Sequence, residues 1–93
     1  MIEKTLRKVI DAIILPKYPW INSYEISSEM NYNGIHYYSV TIIPTDEFYE
    51  THKGWKVNTH RIKLQEEIKS LFSMIGPRED QILGSVEIPH KYD

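Results

Sequence analysis

Residues 23–44 read SYEISSEMNYNGIHYYSVTIIP, two alternating segments on either side of Asn33-Gly34, and their register decides the fold. On the first segment Tyr24, Ile26 and Met30 share one face, with Glu25, Ser27 and Glu29 on the other. On the second, Tyr38, Val40 and Ile42 oppose Tyr37, Ser39 and Thr41. Asn-Gly between such runs is a strong short-range signal for a β-hairpin. A two-residue turn would set Ile26 against Thr41 and mix polar with apolar residues on each face. One further loop residue, with Gly34 left-handed as a bulge, sets Ile26 against Val40 and Tyr24 against Ile42. Because a strand repeats every two residues, a slip of one turns every side chain to the opposite face. Only the second parity gives one apolar face, and it is the register expected.

Before the hairpin, Ile2, Leu6, Val9, Ile10, Ile13 and Ile14 recur at helical spacing, with Glu3 and Arg7 four apart on the polar side. Pro16 ends this helix, because the residue before a proline disfavours helical geometry. Tyr18-Pro19-Trp20 is an aromatic connector. After the hairpin, Thr45 caps a short helical turn over residues 46–51, and Gly54 closes it. Asn58 or Thr59 caps a second long helix whose stripe is Leu64, Ile68, Leu71, Phe72 and Ile75, and Gly76-Pro77 stops it. A final alternating run sets Ile82, Gly84, Val86 and Ile88 opposite Leu83, Ser85 and Glu87.

The pattern predicts one α+β domain over residues 1–93, in two layers, with a three-stranded sheet and two long helices on one face. A helical crossover between the second and third strands makes them parallel. The doubly apolar second strand favours a central place and strand order 1-2-3; placing the third strand beside the first is the alternative. The expected core is Leu6, Val9, Ile10, Ile13, Ile26, Val40, Ile42, Leu64, Ile68, Leu71, Phe72, Ile75, Val86 and Ile88.

Composition narrows the chemistry. A net charge of −2 provides no global basic field for nucleic acid or membrane. With no cysteine, disulfides, thiolate metal sites and cysteine nucleophiles are excluded, and a cytoplasmic location is expected. No apolar run reaches membrane-spanning length, so no membrane partner is expected. His36, His52, His60 and His90 fit no metal-ligand spacing, and the carboxylates sit in polar, solvated contexts. No nucleophile elbow, phosphate loop or dinucleotide fingerprint is present. A non-enzymatic protein without metal or cofactor is the expectation.

Two surfaces remain. The outer sheet face carries Glu25, Ser27, Glu29, Tyr37, Ser39, Thr41, Leu83, Ser85 and Glu87, and its tyrosine suits a protein partner or a second copy of the chain. Binding through this face or the first strand's edge, as a homo-oligomer or to another protein, is the leading expectation. The second surface is Lys53, Trp55, Lys56, Arg61 and Lys63, cations around one tryptophan at a helix entry, which suit an anion or a single-stranded nucleic acid. Here the element order resembles the type II KH module of RNA-binding proteins, where a GxxG loop between two helices clamps the nucleotide backbone. Lys53-Gly54-Trp55-Lys56 lacks the second glycine. Tryptophan's large apolar area predicts that Trp55 seals the core edge, leaving the lysines solvated.

Overall fold

The computed structural model describes residues 2–90. Helix α1 spans Ile2–Val9 and continues as a π-turn over Ile10–Ile14, strand β1 spans Ile21–Met30 and strand β2 spans His36–Pro44. Helix α2 covers Asp46–Thr51, helix α3 covers Trp55–Met74 and strand β3 covers Gln81–Glu87. The sheet order is β1-β2-β3, with β1 antiparallel and β3 parallel to the central β2.

The hairpin takes the expected register: Ile26 faces Val40 and Tyr24 faces Ile42. Its loop has a local cause. Asn31 Oδ1 accepts hydrogen bonds from the Asn33 and Ile35 amides at 2.9 and 3.0 Å. Gly34 then turns the chain at φ 80°, a conformation that costs a side-chain-bearing residue roughly 1–2 kcal/mol. With this loop in place, Tyr38, Val40 and Ile42 point into the core.

Three expectations are corrected. Ile13 is 48 % exposed, and Ile14 takes its place in the core. The reason is the π-turn, in which the Leu15 amide donates to the Ile10 carbonyl at 3.0 Å, five residues back. The wider turn keeps Leu6, Ile10, Ile14 and Tyr18, each four apart, on one face. In β3, Tyr38 pairs with Leu83 but Ser39 pairs with Ser85, so Gly84 is an inserted residue. Such a bulge reverses the parity of everything before it. Leu83 therefore joins Val86 and Ile88 inside, and Ile82 lies outside. Finally, α3 begins at Trp55 with Gly54 at its cap position, earlier than a cap at Asn58 or Thr59 would set it. Those two side chains work within the helix: Asn58 Oδ1 accepts from Arg61 Nε and the Thr59 hydroxyl donates to the Trp55 carbonyl.

The core joins Leu6, Ile10 and Ile14 to Val40, Ile42, Leu64, Ile68 and Val86, all essentially without solvent contact. Burying each such side chain stabilises the fold by roughly 1.5–3 kcal/mol. Val9, Ile26, Leu71 and Ile75 are only partly buried at its margin.

Candidate functional site

The loop between α2 and α3 is built on a stack of rings. Trp20 lies on Phe48 with centroids 4.2 Å apart, and Phe48 lies on His52, also at 4.2 Å and 12° from parallel. His60 meets all three edge-on, nearest to His52 at 4.7 Å. Thr45 starts α2 as expected, its Oγ1 accepting from the Phe48 amide at 3.3 Å, and this cap positions Phe48 in the stack. His52 ends α2, its amide donating to the Phe48 carbonyl at 2.9 Å. Gly54 then adopts φ 57° and ψ −123°, a backbone conformation glycine takes without steric cost.

This geometry decides where Trp55 goes. The inward stripe of α3 runs through Val57, His60, Leu64, Ile68 and Phe72. Trp55 precedes Val57 by two residues, or roughly 200° of helical rotation. It therefore points away from the core and is 74 % exposed, which overturns the expectation that it seals the core edge. Lys53 and Lys56 flank it, both exposed.

Beside the loop, a groove of about 400 Å³ runs between the start of α3 and the edge strand β3. Gly54, Val57, Asn58 and Arg61 form one wall; Thr41, Ser85, Glu87, Ile88, Pro89 and His90 form the other. A second cavity of about 190 Å³, walled by Tyr49, His52 and Lys53, shares Gly54, Val57, Pro89 and His90 with it, so the two adjoin. The Tyr49 hydroxyl donates to the Pro89 carbonyl across this second cavity.

Of the residues singled out in the sequence, Arg61 lines the groove and Lys53 the adjoining cavity, while Trp55 and Lys56 stand outside both linings. Lys63 lies farther along α3, where its charge reaches His60 and Glu67. Arg61 is braced: it donates to Asn58, to Gln65 at 3.0 Å and to the Val86 carbonyl of β3 at 3.2 Å. All three acceptors are uncharged, so the guanidinium holds the β3 edge and still presents its positive charge. Among the described residues, none of Lys53, Lys56, Arg61 and Lys63 forms an ion pair. Burial lowers the His60 imidazole below its ordinary pKa, and the His52 and Lys63 charges push it the same way. Among the described residues no three His, Asp or Glu side chains converge to hold a metal.

The sheet face turned away from the core has another character, and its Thr41, Ser85 and Glu87 also form part of the groove wall. Three rows cross it: Glu25, Thr41 and Glu87; Ser27, Ser39 and Ser85; Glu29, Tyr37 and Ile82. Ser85 Oγ donates to Ser39 Oγ at 3.3 Å. The rows carry three carboxylates and no cation, and Tyr37 and Ile82 are 36 % and 39 % exposed. All six residues expected on the outer faces of β1 and β2 are there; Leu83 is not.

Sequence reasoning missed Pro89 and His90 as groove residues, and the stack beneath the loop. Trp20, Phe48, His52 and His60 come from three segments with no shared periodicity, so only the folded chain brings them together. No protein-family model, curated protein or solved structure matches the chain.

Proposed function

We propose that this chain is a binding module for single-stranded nucleic acid, held along the groove between α3 and β3 with Trp55 as a stacking platform. The exposure of Trp55 carries the reading. An indole left in water at a helix start gains nothing for the fold, whereas a base stacked on it contributes about 1–3 kcal/mol of binding. Arg61 lines the groove and Lys53 the cavity beside it, neither forms an ion pair among the described residues, and Glu87 is the one carboxylate among the described lining residues.

The test is fluorescence anisotropy of a labelled single-stranded oligonucleotide across a salt series. Affinity should fall steeply with salt. Trp55→Ala should weaken binding by about 1–3 kcal/mol, and Lys53→Ala should reduce the salt slope by about one. Salt-insensitive binding, or none at micromolar protein, would reject this function.

The second reading is self-association or a protein partner on the outer sheet face. It is favoured by the exposed Tyr37–Ile82 pair beside small hydroxyl residues. Sedimentation of the parent and of Tyr37→Glu tests it: a concentration-dependent mass lost in the variant supports it, and a monomer at all concentrations removes the self-association form.

A further inference from the structure

We infer that His52 and His60 make anion binding in the groove proton-linked, a phosphodiester in the groove drawing one proton onto the pair. The inference rests on the groove as an anion site and adds how that site is regulated. His52 lines the cavity adjoining the groove, and His60 stands directly behind it at 4.7 Å. The Phe48 carbonyl, 3.0 Å from His52 Nδ1, can only accept, which fixes a proton on Nδ1 and leaves Nε2 as the nitrogen that gains one. Thr51 Oγ1, 2.8 Å from the same Nδ1, can accept from it while its single hydroxyl proton goes to the Glu47 or the Phe48 carbonyl.

Two imidazoles this close resist holding two charges, because the second charge meets the first. Their surroundings sharpen the effect. Lys53 and His90 share that cavity with His52, and Lys63 reaches His60 along α3. Trp20 and Phe48 cover the pair with apolar rings. Tyr49 donates its hydroxyl to Pro89. Glu47 shares a separate cleft with His52 on the Trp20 side and forms no ion pair with it, and Glu87 lies at the far end of the groove. In the empty groove burial, then the His52 and Lys63 charges, disfavour the charged form of His60. A phosphodiester beside His52 reverses the balance, and a proton moves from solvent to Nε2.

The experiment measures the affinity of the full chain for labelled oligo(dT), whose bases and phosphates do not titrate between pH 5.5 and 8.5, at fixed salt. Affinity should rise as pH falls, about tenfold for each unit by which binding raises the pair's pKa, with a slope no greater than one proton. The double variant His52→Gln with His60→Gln should still bind at pH 8.5 but lose the pH dependence. His90→Gln should keep it. Circular dichroism and the pH 8.5 affinity together separate a misfolded variant from a lost titration, and His52→Asn with His60→Asn provides a second pair. A flat profile in the parent, or one that survives both double variants, overturns the linkage while leaving the groove reading intact. Oligo(dT) that binds at no pH overturns both.

Discussion

The Tyr18 hydroxyl donates to Glu67 Oε2 at 2.7 Å while Lys17 Nζ meets Oε1 at the same distance, so one carboxylate of α3 clamps the chain that follows the π-turn. Burial pushes the Glu67 carboxyl up. The hydrogen bonds from Lys17 and Tyr18, with the Lys17 and Lys63 charges, outweigh burial and hold it below its ordinary value of 4.5. The folded pKa is thus lower than the unfolded one, so the clamp contributes above about pH 4.5 and is lost as pH falls through the folded value. Glu67→Gln should cost about 1 kcal/mol in urea denaturation at pH 7, discounted for partial exposure. The parent and variant should converge as pH falls through the folded value; a constant difference would show that the carboxylate charge plays no part.

Alkali should reveal two protected tyrosines. Burial, then the hydrogen bond to Glu67, pushes Tyr18 up to about 12. Tyr24, whose hydroxyl donates to Asp11 Oδ1 at 2.7 Å, is likewise raised to about 12 by burial first and Asp11 second. Their raised folded values add stability that is complete below about pH 10 and lost as pH climbs towards 12. Tyrosinate absorbance near 295 nm should show a component with a midpoint about 12 that shrinks in Tyr18→Phe and in Tyr24→Phe.

The π-turn makes a sharp distinction between neighbours. Ile14→Ala opens the core and should cost about 2–5 kcal/mol, whereas the half-exposed Ile13→Ala should stay within about 0.5 kcal/mol. Equal losses in denaturant midpoints would mean that the turn is an ordinary α-helical one.

The two tryptophans should also separate. Trp20, stacked on Phe48, should lose about 3 kcal/mol of stability on replacement by alanine. Trp55→Ala should leave stability within about 0.5 kcal/mol. A large loss from Trp55→Ala would show that the indole belongs to the fold.

Gly54 tests backbone strain alone. A Cβ there would meet nothing within 4 Å, so Gly54→Ala adds no clash and should cost about 1–3 kcal/mol purely through its positive φ. Gly84→Ala, whose Cβ would sit 3.5 Å from the Tyr38 carbonyl at ordinary contact distance, should change stability by about 0.5 kcal/mol or less. Thermal melts of the two variants provide the comparison.

Alternation and turn chemistry are local properties, and they determined the hairpin register and the Leu64–Ile68–Phe72 stripe from the residues alone, while only favouring the strand order that the folded sheet takes. Each depends only on a period of two or 3.6 and on a glycine that tolerates positive φ. Tertiary structure decided what an inserted residue or a widened turn displaces. The Gly84 bulge exchanges Leu83 for Ile82, and the π-turn exchanges Ile14 for Ile13, because each shifts the phase of a pattern that otherwise runs unbroken. The candidate site was legible only as a set of cations around Trp55. Whether that indole packs or projects depends on the helix phase fixed at Gly54, and the groove depends on β3 passing the start of α3, a contact between residues far apart in the chain that no local pattern encodes.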